Sequence, residues 1–213
     1  MPNWCNNNVT ISHSDPAKIE ALAEAIRNDK FFEHVIPVPK ALTETVSGHL
    51  GDEYEQELNQ FKMELNMKYF GSKDWYDFCV TNWGTKWEAS LYDGSAVKVE
   101  NNTIELGFDT AWSPPTGVYD ALVEQGFEVV GYYYEPGMCY VGKWDNGADD
   151  YYEYSGEDST TVRDAIGEEL DDMYGISESM AEYEDENMDE LEEFLEEGAE
   201  TKGLNKPTPL KFD

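Results

Sequence analysis

Apolar residues recur with two different periods along the first two thirds of this chain. Asn7 to His13 reads Asn-Asn-Val-Thr-Ile-Ser-His, an alternation that predicts a half-buried strand with Val9 and Ile11 on one face. Ser14-Asp15-Pro16 then supplies a cap and a first-turn proline, and Ile19, Leu22, Ala23 and Ile26 recur at helical spacing until Asn28 and Asp29 break it. The prolines of Val35-Ile36-Pro37-Val38-Pro39 predict an extended stretch from Phe31 to Lys40. Helical spacing returns from Glu53 to Tyr69, with Leu58, Phe61, Leu65 and Met67 expected on the packed side, and Trp75, Tyr76 and Phe78 make a shorter aromatic piece. Residues 31–80 therefore read as an inserted, mainly helical excursion.

From Lys86 the period becomes two. Trp87, Ala89 and Leu91 face one way, Asp93-Gly94 signals a tight turn, and Ala96 to Val99 makes a further strand. Asn101-Asn102 turns it into Thr103 to Thr110, which carries Ile104, Leu106 and Phe108. Pro114-Pro115 opens a second helix through Val118, Leu122 and Val123, ended by Gly126, and Phe127 to Tyr134 is rich in β-branched and aromatic residues, as strands are. Pro136-Gly137 turns that strand into Met138 to Trp144. This order predicts an α+β fold, a split β-α-β antiparallel sheet of the ferredoxin-like kind with helices on one face.

Past Asp145 two amphipathic helices are expected. One starts at Thr160 or Thr161 and carries Val162, Ile166, Leu170 and Met173; the other runs from Ser177 with Met180, Tyr183, Leu191, Phe194 and Leu195 as its apolar side. Like charges three and four apart oppose these helices, so packing of the apolar stripes is expected to hold them. The domain reading is 1–145, a ferredoxin-like domain with its insert; 146–200, an acidic helical extension; and 201–213, a tail.

Charge sharpens that boundary. Between Asp145 and Glu200 there are 23 acids and one base, Arg163, whereas the other 157 residues hold 23 acids and 13 bases, within a whole-chain net charge of −32. Adaptation to high salt would coat every surface with acid, so a segregated anionic segment points instead to a partner built to hold nucleic acid. The absence of a long apolar run or a signal-like N-terminus suggests a soluble protein of the cytoplasm, with no membrane partner. Cys5, Cys79 and Cys139 are odd in number and widely spaced, so neither disulfides nor a zinc site is expected. His13, His34 and His49 read as surface residues, Asp145 to Asp150 lacks the closing Glu of a calcium loop, and no metal or cofactor is expected.

Three phrases stand together: Met1-Pro-Asn-Trp-Cys-Asn-Asn, Asn82-Trp-Gly-Thr-Lys-Trp87 and Phe108-Asp-Thr-Ala-Trp-Ser-Pro-Pro115. With Tyr134-Glu135-Pro-Gly137 and Gly142, they resemble the YubB-type, Api-like family of ferredoxin-like proteins of bacteriophages and plasmids. The resemblance covers about residues 1–145 apart from the insert, and implies a ferredoxin-like fold and a mobile-element origin without implying a reaction.

Two sites follow. Trp4, Asn6, Trp83, Lys86, Asp109, Thr110, Trp112 and Glu135 are candidates for an aromatic ligand pocket, with Asp109 or Glu135 as counter-charge to Lys86; the same residues also suit a structural interlock. Catalytic residues of the Ser-His-Asp or Cys-His type are not visible, so no enzyme is expected. Asp171, Asp172, Glu182, Glu184, Asp185, Glu186, Asp189, Glu190, Glu193 and Glu197 are candidates for contact with a basic nucleic-acid-binding host protein. Side chains three or four apart on a helix lie about 5–6 Å from each other, comparable to the phosphates of a strand, so the acidic helices can mimic nucleic acid. The same charge disfavours direct nucleic-acid binding by Tyr132, Tyr133, Tyr134 and Tyr140, despite their resemblance to a stacking platform.

Overall fold

A computed structural model of the chain describes residues 3–92 and 97–202, with the side chains of Glu192 and residues 196–202 left out. Met1 and Pro2, the Asp93-Gly94 turn, Ala96, the Glu197 side chain and the tail from residue 203 lie outside the described residues. The chain divides into two compact units, Met1–Glu153 and Tyr154–Asp213.

The first unit runs β1 (Trp4–Ser12), α1 (Pro16–Arg27), α2 (Phe31–Val35), α3 (Lys40–Thr43), α4 (Glu53–Phe70), α5 (Trp75–Asn82), β2 (Ser90–Leu91), β3 (Lys98–Glu100), β4 (Thr103–Ala111), α6 (Thr116–Glu124), β5 (Glu128–Glu135), β6 (Tyr140–Asp145) and β7 (Ala148–Glu153). Its open antiparallel sheet has the order β2-β4-β1-β5-β6-β7, with β3 pairing further along the β4 edge. Only Ser90 and Leu91 of the expected strand from Lys86 join the ladder.

Strand parity sorts the side chains. Cys5, Asn7, Val9 and Ile11 of β1 are buried, opposite Thr110, Phe108, Leu106 and Ile104 of β4, and Ile11 and Asn7 lie opposite Val129 and Tyr133 of β5. Ile19, Leu22, Ala23 and Ile26 of α1 and Val118, Tyr119 and Leu122 of α6 complete one core with the apolar members of that face. The helix starts where the sequence indicates, because the Asp15 carboxylate accepts the Ala17 N–H at 2.9 Å and Pro16 follows it. Asn7 is fully buried yet satisfied: its amide donates to the Cys5 carbonyl and Thr110 Oγ1, both at 2.9 Å, and accepts from the Tyr119 hydroxyl at 3.3 Å.

The insert departs from its sequence pattern in two places. Phe31 to Val35 is a helix rather than extended, because the prolines restrain only Ile36 and Val38 before them, and the Glu88 carboxylate accepts the Phe32 and Glu33 N–H groups at 2.8 and 2.7 Å. That cap delivers Phe31 and Phe32 edge-on to Phe108, at 5.9 and 6.0 Å between ring centres. Helix α4 forms as expected, with Asp52 as N-cap and left-handed Gly71 after it, but its packed face is different. Asn59 and Asn66 are its buried residues, while Leu58, Phe61, Leu65 and Met67 are exposed. The amides win that side because they satisfy backbone groups of the insert: Asn59 exchanges two 3.0 Å hydrogen bonds with Val46, and Asn66 donates to the Lys73 carbonyl at 3.0 Å.

The sheet also continues past Asp145, the expected end of the first domain. Asn146 and Gly147, at φ 47° and 100°, turn β6 into β7, so 148–153 is strand and not part of an extension.

The second unit contains α7 (Val162–Ile166), α8 (Glu168–Tyr174) and α9 (Ile176–Lys202). The single helix expected from Thr160 is broken at Gly167, whose φ of 87° is left-handed. Thr161 stands at its N-cap, as expected, but without a side-chain cap bond; the Asp158 carboxylate accepts the Thr160 and Thr161 N–H groups at 3.0 Å instead. Val162, Ile166 and Leu170 are buried, but Met173 is exposed. Tyr183, Leu191 and Phe194 of α9 are exposed as well, so the expected buried stripe on that helix does not form along its length.

Candidate functional site

The eight residues of the expected ligand pocket do not converge. Asp109 and Thr110 are adjacent on β4 and therefore face opposite sides of the sheet. Asp109 faces the side of Trp4 and Asn6 and accepts from the Asn6 amide at 2.5 Å. Thr110 faces the core, bonded to Asn7 and, at 2.8 Å, to the Ser113 carbonyl. Glu135 is also buried on the core side, where its carboxylate accepts the Gly137 and Met138 N–H groups at 3.0 and 2.6 Å and fixes the turn into β6. Trp83 is a core residue whose indole donates to the Ile36 carbonyl at 3.0 Å.

What does converge is an aromatic cradle around Lys86. Its ammonium lies 4.3 Å from the Trp87 ring centre, 5.3 Å from Trp112 and 5.6 Å from Tyr76, and Trp4 leans on Trp87 at 6.3 Å. Among the described residues no carboxylate pairs with Lys86, so Asp109 and Glu135 are not its counter-charges. Trp112 sits at φ 70°, rare for a bulky side chain, and is held there by its N–H on the Asn3 carbonyl at 3.0 Å and its carbonyl under the Tyr140 hydroxyl at 2.6 Å. The cradle thus already holds a cation of its own. The grooves at Lys98, Asn101 and Glu105 and at Gln56, Phe61 and Glu64 both lie elsewhere. Sequence reading missed Tyr76 and Trp87 as walls, and only the adjacency of Trp87 to Lys86 pointed to either.

Burial argues against thiol chemistry at Cys5 and Cys79. Burial pushes the Cys5 and Cys79 thiols up to about 12, so neither is a thiolate at neutral pH. Among the described residues no group of His, Cys, Asp and Glu side chains is arranged to hold a metal, and no helix is long and apolar enough to cross a membrane.

The acidic candidates separate into internal and external groups. Asp171 is buried: its carboxylate accepts the Ser177 N–H, the Ser177 hydroxyl and Arg163 Nη1, each at 2.7 Å. It is therefore the pin between α8 and the first turn of α9, not a surface contact. Burial pushes its carboxyl up, but the hydrogen bonds from Ser177 and Arg163 outweigh that and hold it below the ordinary aspartate value. Glu184 is likewise engaged, accepting the Ser159 N–H and hydroxyl at 2.9 and 2.6 Å. Asp172 is exposed but shares Arg163 with Asp171 and Glu168, at 2.7 and 2.9 Å for the outer two. Glu182, Asp185, Glu186, Asp189, Glu190 and Glu193 are exposed, and among the described residues none of them has a basic partner.

The fold defines a mixed α+β protein with an open antiparallel sheet and several helices. No family model and no curated protein matches the chain. Among solved structures it is similar to protein api92 of Yersinia pseudotuberculosis, of family DUF1281, at 13% identity and a TM-score of 0.33, covering 74% of this chain and 99% of that one. A likeness at that level carries no argument about what this chain does.

Proposed function

We propose that the protein is a non-enzymatic accessory protein of a bacteriophage or plasmid, acting in the host cytoplasm, which binds a basic nucleic-acid-handling host defence protein and occupies it as a nucleic-acid mimic. The observation that carries this reading is the set of exposed carboxylates on α9, Glu182, Asp185, Glu186, Asp189, Glu190 and Glu193, none of which has a basic partner among the described residues, in a segment from Asp145 to Glu200 whose one base, Arg163, is already engaged by Glu168, Asp171 and Asp172. A solvated face would need no further feature, but Tyr183, Leu191 and Phe194 lie exposed along one stripe of the same helix, which favours a protein surface as the complement. The uncompensated charge repels nucleic acid itself. The strand order β2-β4-β1-β5, with α1 and α6 in the two connections, supports the finer fold reading: a ferredoxin-like split β-α-β domain with an insert over α2 to α5 and an acidic helical extension. The alternative, a ligand or catalytic site around Lys86, Trp112 and Glu135, loses support because Glu135 is spent on a backbone turn and Lys86 fills its own cradle.

The test is recovery of partners from a bacterial lysate by the intact chain and by a variant with Glu182, Glu186, Glu190 and Glu193 changed to Gln. The intact chain is expected to retain a basic nucleic-acid-binding protein at low salt and release it at high salt, and the variant to lose it with α9 still helical by circular dichroism. Equal recovery by both proteins at low salt would refute the reading.

A further inference from the structure

Helix α4 places its apolar residues outward. Tyr54, Leu58, Phe61, Leu65 and Tyr69 are 74, 44, 58, 40 and 69% exposed, and their spacings of four, three, four and four residues set them in one stripe along an 18-residue helix. The helix is anchored from its other side by Asn59 and Asn66, through hydrogen bonds to Val46 and Lys73, so the stripe is presented on a fixed support. An exposed row of two tyrosines, two leucines and a phenylalanine marks an interaction surface.

We infer that this surface pairs with the same helix of a second copy, antiparallel, about a two-fold axis near Phe61. Two observations select that occupant. The stripe is nearly palindromic: reversal about the midpoint between Phe61 and Lys62 places Tyr54 against Tyr69 and Leu58 against Leu65, the self-complementarity that an isologous interface requires. The charges are polarised in the sense that reversal satisfies. Glu53, Glu55 and Glu57 occupy the first turns, whereas Lys62 and Lys68, with Glu64, occupy the later ones. Antiparallel packing sets each acidic end beside a lysine-bearing end and opposes the two helix dipoles; parallel packing would set acid on acid. The helix is only about 27 Å long, so the apolar stripe forms a small interface and the dimer is weak, in the micromolar range.

Sedimentation of the full chain from low to high micromolar concentration tests this. A monomer–dimer equilibrium is expected, and Phe61→Asp is expected to abolish it while leaving the far-ultraviolet dichroism unchanged. Raising salt from about 0.05 M to about 0.5 M screens both the glutamate–lysine attraction along α4 and the repulsion between two copies of net charge −32; the repulsion involves far more charges, so the dimer is expected to tighten, the opposite response to that of a complex with a basic partner. Orientation is read by cross-linking with a short bis-maleimide in a Cys139→Ser background, since Cys5 and Cys79 are buried. Tyr54→Cys and Tyr69→Cys should cross-link when the two single variants are mixed, but neither with itself. A chain that is monomeric throughout, or a dimer untouched by Phe61→Asp, overturns the proposal, and self-linking of Tyr54→Cys alone overturns the antiparallel arrangement. Capture of a different protein by α4 from a chain that stays monomeric would assign the stripe to that protein instead.

Discussion

Replacing Asp171 by Ala isolates the part of the acidic segment that is structural. The substitution removes three 2.7 Å contacts at once: the N–H of Ser177 in the first turn of α9, the Ser177 hydroxyl and Arg163 Nη1. Loss of an acceptor at a helix start costs about 1 kcal/mol, and a buried hydrogen bond to a charged group contributes about 1.5–3 kcal/mol. The Arg163 contact adds little, because that side chain is 41% exposed and its charge is screened by water. The junction of α8 and α9 should therefore loosen by about 2–4 kcal/mol, which is roughly 30- to 700-fold in local opening. Hydrogen exchange resolves this better than a melting curve, because a chain of two compact units need not unfold in one step. Amides from Met173 to Met180 should exchange faster by that factor while those of β1 and β4 are unchanged. Asp171→Asn keeps an acceptor for the Ser177 N–H and should show a smaller effect, and Arg163→Met a smaller one still. Acceleration below about threefold in Asp171→Ala, or an equal effect from Arg163→Met, would refute the reasoning that the carboxylate acts chiefly as a cap.

Asn7→Leu should cost about 2–4 kcal/mol in urea denaturation of the sheet, since it removes the buried amide's hydrogen bonds to the Cys5 carbonyl, Thr110 Oγ1 and the Tyr119 hydroxyl. Gly147→Ala should weaken only the β6–β7 hairpin, by about 1 kcal/mol, because φ is 100° there; exchange confined to β7 would show it. Lys86→Met should change stability by no more than about 1 kcal/mol and shift tryptophan fluorescence, as befits a solvent-accessible cation–π contact; a larger loss would give Lys86 a role beyond the cradle. On acidification, Asp158 and Asp171, both held below their ordinary value of 3.8, stabilise the fold above that pH and lose the contribution as pH falls through their lowered values. Amide protection at Thr161 and Ser177 should therefore fall below about pH 4, even as protonation relieves repulsion along α9.

Much of the first unit was legible from local pattern. The period-two runs at Val9 and Ile11 and at Ile104, Leu106 and Phe108, the Asp15-Pro16 start of α1 and the Asn101-Asn102 turn all state their structure through steric and capping chemistry within a few residues. Asn146-Gly147 stated the β6–β7 hairpin just as clearly, but lay inside a run of acids that drew attention to charge. Strand parity also carried more than was taken from it, since Asp109 and Thr110, being neighbours on one strand, could never line one pocket.

The sequence by itself determined most helices and strands of the first unit and where the charge is concentrated, because propensity, capping and composition act over short range; Phe31–Val35 is helix against that local pattern because Glu88, distant in sequence, accepts its first N–H groups. Tertiary structure decided which faces α4 and α9 bury and which charges are free. In α4 the amides of Asn59 and Asn66 face inward and Phe61 outward, since the waiting partners were backbone groups of the insert that only hydrogen bonds can satisfy. In the acidic helices Asp171 and Glu184 turned inward to Ser177 and Ser159, while Glu186 and Glu190, of the same charge, stayed in water. A carboxylate is buried where donors converge on it, and that convergence comes from residues brought together by the fold.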